Sequence, residues 1–287
     1  MPEALWRGYD QEALDAQLNL RARNPEHEEY FARWARDSEA VRAGWPEAKL
    51  NLACGEKPDE CLDYFPAQPG APLLAFIHGG YWQALDKSDY SYFAPAFRDA
   101  GIAYASLNYS LAPEATIPEM VDQVRSAVAW LHRQAGELGF DPQRLFVAGH
   151  SAGGHLASMV MADGAGSVEL PENAVRGGCS VSGIYELKPL SRSYQQPVLR
   201  LTDEAVQRCS PIRRLPSRSG PLICAVGALE PEEFQDQQRD FVSAWQEAGL
   251  PGSAMTLPGR NHFTAVDALG EPEHPLHQAV LALVRSG

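Results

Sequence analysis

Short continuous apolar runs alternate along the chain with longer segments whose apolar residues recur every three or four positions. Leu73-Leu74-Ala75-Phe76-Ile77, Ile102-Ala103-Tyr104-Ala105-Ser106-Leu107 and Leu145-Phe146-Val147-Ala148 are runs of the first kind. Such runs suit strands buried on both faces of a parallel sheet. Met120, Val121, Val124, Val128 and Leu131 share one helical face and predict a helix between the second and third runs. Leu50 and Leu52, then Cys61–Phe65, predict two strands around a Gly55–Pro58 turn. Further strands are predicted at Gly178–Ser182, Pro221–Gly227 and Ser253–Leu257. Helices are predicted at Ser91–Ala100, Glu232–Ala248 and Pro275–Arg285. The alternation implies an α/β fold, a mostly parallel central sheet with helices on both faces.

Two segments depart from this rhythm. Residues 1–45, rich in Ala, Glu, Arg and Leu, read as an N-terminal helical arm. Asp10 would cap a helix through Leu14, and Tyr30, Phe31 and Trp34 form an apolar stripe on a second helix. That stripe is read first as packing and second as a cover over a cleft. Residues 186–216, with their prolines and polar side chains, read as a connecting excursion that can serve as part of a lid. A single domain over residues 1–287 is expected.

Composition changes the picture mainly by exclusion. A net charge of −13 argues against nucleic acid and against anionic membrane surfaces. No run approaches the roughly 20 apolar residues of a membrane span. Met1–Arg7 lacks a basic start followed by an apolar core, so a cytoplasmic location is expected. The five cysteines are scattered and read as reduced thiols. The Cys54–Cys61 spacing fits no zinc pattern. No metal and no organic cofactor is expected. The expected partner is a small-molecule substrate; a homodimer is left open.

The candidate chemistry begins at Gly149-His150-Ser151-Ala152-Gly153, which follows a predicted strand and precedes a helix-like stretch. This is the G-x-S-x-G pattern in the context that turns a serine into an exposed nucleophile. His78-Gly79-Gly80-Tyr81-Trp82 directly follows the Leu73–Ile77 strand. Its glycines let main-chain N–H groups approach a developing oxyanion, so Gly79, Gly80 or Tyr81 would act with Ala152. His78 is read as a loop-organising residue. Tyr81 and Trp82, beside these glycines, are read as substrate-binding, and for Trp34 packing leads.

The general base is expected at His262, in the loop after the Met255-Thr256-Leu257 strand. His150 and His155 flank the serine, but neither is expected to reach it as a base. His27 and His132 read as helix-surface residues, and His274 and His277 as a solvated loop and helix start. The acid should follow the Leu222–Gly227 strand. Glu230 comes first there, while Glu232, Glu233 and Asp236 look like charges at a helix start.

Taken together, these motifs resemble the α/β-hydrolase arylformamidases (kynurenine formamidases) and their close bacterial relatives. The likeness rests on His78–Trp82, Leu62-Asp63-Tyr64-Phe65-Pro66, Gly149–Ala157, and Glu233-Phe234 followed by Gln238. In that family the acid is usually aspartate; the matching position here is Glu230. The resemblance implies a serine hydrolase that cleaves an N-formyl arylamine such as N-formyl-kynurenine. The alternatives are a short-chain carboxylesterase or an aryl carbamate or amide hydrolase with the same residues and, from another class, a non-catalytic binding protein on the same fold.

Overall fold

Asp10 accepts the Ala13 N–H and starts α1 (Gln11–Leu18), and Asn19 does the same for Ala22 at α2 (Leu20–Arg23). Each cap satisfies a donor that the helix itself leaves free. α3 (His27–Ala43) follows and buries Trp34. The structure, a computed structural model, describes residues 4–164 and 166–286. The stretch read for a leader therefore begins, at Met1–Glu3, outside the described residues.

β1 (Lys49–Ala53) and β2 (Cys61–Phe65) pair antiparallel, as the two Leu-bearing runs imply. β3 (Ala71–Ile77) is buried along its whole length. The helix expected at Ser91–Ala100 starts earlier, as a 3-10 turn at Lys87–Phe93, and continues as α4 (Ala94–Asp99). Asp86 and Asp89 cap that turn reciprocally, which sets the earlier start. β4 (Ala103–Leu107), α5 (Ile117–Leu138), β5 (Phe140–His150) and α6 (Ala152–Met161) come next. After β6 (Gly178–Val181) the excursion holds two short helices, α7 (Gln196–Leu199) and α8 (Asp203–Cys209). Glu186 ties this irregular segment together by accepting from Lys188 N, Ser210 Oγ and Arg213 Nε. β7 (Leu222–Gly227), α9 (Glu232–Glu247), β8 (Gly252–Leu257), α10 (His262–Ala265) and α11 (Pro275–Ser286) complete the chain.

The eight strands form one sheet in the order β1-β2-β4-β3-β5-β6-β7-β8. β2 is antiparallel to β1 and β4; every pairing from β4 to β8 is parallel. From β3 the chain steps outward to β4, then returns to place β5 on the other side. The strand order thus reverses between β3 and β5, which lie side by side with Ile77 opposite Gly149. Loops leaving the carboxyl ends of two such strands diverge and open a crevice, the usual place for a ligand in an open α/β sheet. Here those loops are His78–Trp82 and the turn at Ser151.

Candidate active site

Ser151 caps β5 with φ +56° and ψ −118°, a left-handed conformation that side-chain-bearing residues avoid. Its N–H donates to the Val181 carbonyl at 2.8 Å, which pins the turn to β6. The turn closes only because the following position is small. A Cβ on Gly153 would overlap the carbonyls of Ile77 and His78. Ser151 is 2% exposed, and α6 starts at the next residue, presenting its free first-turn amides.

The facing loop is strained in the same sense. Gly80, Tyr81 and Trp82 all have positive φ, and a Cβ on Gly80 would overlap the Ala84 carbonyl. His78 organises it, as expected. Its ring stacks on Tyr109 at 4.3 Å, and its Nε2 lies 3.1 Å from Asn108 Oδ1. The N–H groups of Gly80, Tyr81 and Ala152 have no acceptor among the described residues. They are the donors that a developing oxyanion would need.

Across the crevice, Asn261 accepts from the Phe263 and Thr264 amides and so starts α10 at His262. The expected loop histidine is therefore the first residue of a short helix, held more firmly than a loop would hold it. His262 Nδ1 donates to Glu230 Oε2 at 2.7 Å. Glu230 Oε1 accepts from Ser182 Oγ at 2.5 Å and from Gly227 N at 2.7 Å. Both carboxylate oxygens are thus engaged, and the group is buried. The Phe234 ring packs against the imidazole in a T-shaped arrangement, ring centres 5.1 Å apart. The neighbouring acids turn elsewhere. Glu233 bonds Trp6 and Arg7, Asp236 pairs with Arg239, and Glu232 accepts from Tyr9.

Ser151 and His262 enclose one narrow cavity together with Gly80, Tyr81, Tyr90, His150 and Phe263. No hydrogen bond joins the two side chains; spacing of this kind tightens when substrate packs between them. The remaining wall comes from Leu85 and from the N-terminal arm, through Leu20, Arg21, Phe31 and Trp34. None of residues 186–216 is among the lining residues. The excursion instead braces the arm: Tyr194 N donates to Asp15, and Arg192 donates to the Leu5 carbonyl. The phenols of Tyr81 and Tyr194 both donate to the Leu18 carbonyl, at 2.6 and 3.3 Å. The open volume is about 30 Å³. That holds water but no aromatic ring, so the arm has to yield when a substrate enters.

The structure corrects two side-chain expectations. Trp82, read as substrate-binding, is wholly buried and turned away from the cavity, its ring edge-on to His155 at 5.1 Å. The indole on the cavity wall belongs to Trp34 instead. His277, read as solvated, is buried against Phe97 and lies 2.6 Å from the Leu269 carbonyl through Nδ1. Two polar groups in the cavity wall, the Tyr90 hydroxyl and His150 Nδ1, are buried without a hydrogen-bond partner. Nothing in residue spacing signals an orphaned atom. A larger cavity of about 560 Å³, lined in part by Arg125, Arg176 and Arg218, contains none of these side chains. No group of His, Cys, Asp or Glu among the described residues is arranged to hold a metal.

Fold and crevice together define the class, an α/β-hydrolase of the serine type. The BD-FAE family model matches residues 63–181, from β2 to the end of β6. Over 259 residues the chain is 30% identical to the kynurenine formamidase of Danio rerio, covering 85% of this chain and 87% of that protein. It is also 30% identical over 216 residues to an ethyl acetate hydrolase of Pseudomonas putida, covering 69% of this chain and 67% of that protein. A crystal structure from Silicibacter sp. TM1040, described as a candidate thioesterase, superposes with a TM-score of 0.81 at 30% identity, covering 95% of this chain and 98% of that one. The chain belongs to the kynurenine formamidase family. It is a hydrolase, an arylformamidase or an esterase. Among the described residues no helix is long and apolar enough to cross a membrane.

Proposed function

We propose that the protein is an arylformamidase that hydrolyses an N-formyl arylamine of the N-formyl-kynurenine type. The observation that carries this reading is the cavity wall. Ser151 and His262 meet Phe31, Trp34, Tyr81, Tyr90 and Phe263 around one slot, whose aromatic walls would flank a flat aromatic leaving group once the arm gives way. In this reading His262 takes the Ser151 proton, and the oxygen attacks the formyl carbon. The oxyanion rests on N–H groups from Gly79–Tyr81 and Ala152. His262 then protonates the departing arylamine, and water cleaves the formyl ester to give formate and free serine. Glu230 keeps the imidazole in the tautomer whose Nε2 accepts. The same proposal takes the chain as one catalytic domain working on a small substrate in the cytoplasm.

The test is a comparison of kcat/KM for N-formyl-kynurenine and p-nitrophenyl acetate with wild-type protein and Ser151→Ala. The proposal expects clear turnover of the formamide, lost in the variant. Ester turnover with an inert formamide would favour a short-chain esterase, the reading supported by similarity to the Pseudomonas putida ethyl acetate hydrolase.

A further inference from the structure

His150 stands immediately before the nucleophile, is 3% exposed and lines the cavity. Its Nε2 lies 2.9 Å from the main-chain carbonyl of His262. A carbonyl oxygen only accepts, so the ring proton sits on Nε2 and Nδ1 carries a bare lone pair. That lone pair is buried and unpartnered. A buried acceptor left unpaired is costly and calls for a partner. Its place is specific. The point where a side chain on Gly79 would begin lies 3.2 Å from His150 Nδ1 and 3.3 Å from Ser151 Cβ. A side chain on Gly79 would therefore crowd both the acceptor and the nucleophile, and glycine leaves that space free.

We propose that His150 Nδ1 accepts the N–H of the scissile amide and thereby sets the preference of this enzyme for amides over esters. The inference rests on the arylformamidase reading. When the Ser151 Oγ–carbon bond forms, the amide nitrogen becomes pyramidal. Its new lone pair has to face His262 to receive a proton before the carbon–nitrogen bond breaks. The remaining N–H then turns away from His262 and needs an acceptor of its own. An ester oxygen carries no hydrogen and gains nothing from such a group. The contact acts in the transition state of one substrate class only, which is how a site discriminates between leaving groups. Burial and the neighbouring His262 hold the His150 pKa well below the usual imidazole range, so the acceptor persists through neutral pH.

The experiment crosses one variant with three substrates: formanilide, N-methylformanilide and phenyl formate, each with wild type and His150→Phe. The expected result is a loss of kcat/KM on formanilide roughly 10- to 100-fold greater than the loss on phenyl formate. The wild-type preference for formanilide over N-methylformanilide should shrink by a similar factor. Equal losses on all three substrates would overturn the inference and leave His150 as an anchor for the His262 backbone. Wild-type protein that cleaves N-methylformanilide as fast as formanilide overturns it too, with no dependence on how the variant folds. Wild-type protein that cleaves phenyl formate but neither anilide removes the arylformamidase reading itself, a separate outcome.

Discussion

The backbone at Ser151 stores strain that an inactive variant would release. A non-glycine residue at φ +56° costs about 1–3 kcal/mol, and Gly meets no such penalty. Ser151→Gly is therefore expected to abolish turnover while raising unfolding stability by about 1 kcal/mol, after the greater chain entropy of Gly is counted. Urea unfolding of the two proteins measures it; a variant less stable than wild type would refute the strain argument. At the proposed acid, Glu230→Gln keeps the shape but presents an amide to His262 Nδ1 and favours the wrong tautomer. A fall in kcat of about 10³–10⁴-fold is expected, with near-native circular dichroism. Ser182 Oγ and the Gly227 amide fix the second oxygen of Glu230 and so hold its first oxygen on the imidazole. Glu230 is singled out as a candidate by its place just after the β7 strand. The Ser182 contact could not be read, since Ser182 lies 48 positions away and joins it only once β6 and β7 pair.

The arm and the excursion divide the work of closing the crevice. Trp34 Nε1 and Arg33 both bond Asp267, which follows α10, so the arm is tied to the element that carries His262. Trp34→Phe keeps a ring in the wall but loses that bond, and a shifted aryl-over-alkyl ester preference is expected. Trp82→Phe, a change under the loop rather than in the wall, should leave the preference within about twofold. Parallel rate measurements on phenyl and ethyl esters separate the two; an equal shift in both variants would place the specificity elsewhere. The helices of the arm were legible because the Asp10 cap and the Tyr30–Trp34 stripe are local signals; the Asn19 cap that separates α1 from α2 was not read. What the stripe faces was not legible either, since its partners Phe263 and Asp267 lie more than 200 residues away. Helical periodicity tells which face is apolar, never against what. The excursion was opaque for a related reason: its turns are held by side-chain bonds converging on Glu186 rather than by any repeating pattern.

At the scale of the whole molecule, the parallel core was legible because strands covered on both faces are written as unbroken apolar runs. The order reversal between β3 and β5 then brought the two motif-bearing loops together without any further signal. The same burial has a consequence for acid stability. Burial pushes the His155 imidazole down to about 4 and also lowers His78 and His150. The unfolded chain takes up protons on these residues as pH falls below about 6.5, while the folded protein resists. Stability is therefore present above that pH and lost as pH falls towards about 4, by about 3 kcal/mol from His155 alone. Glu233, raised chiefly by burial, acts in the opposite direction because the folded protein holds its proton more tightly. The expected net result is a urea midpoint that declines steadily from pH 7 to pH 4.5. A flat midpoint over that interval would count against neutral buried imidazoles.

The two phenols gathered on the Leu18 carbonyl bear on timing. If entry and exit each require that pair of bonds to part, the arm sets a clock that is independent of the acyl chemistry. For an activated ester, whose bond breaking is fast, turnover should slow in proportion to solvent viscosity as sucrose is added. For a formanilide, whose bond breaking is slow, it should not. Replacing Tyr194 by Phe would weaken the latch without touching the cavity wall, and would relieve the viscosity dependence of the ester.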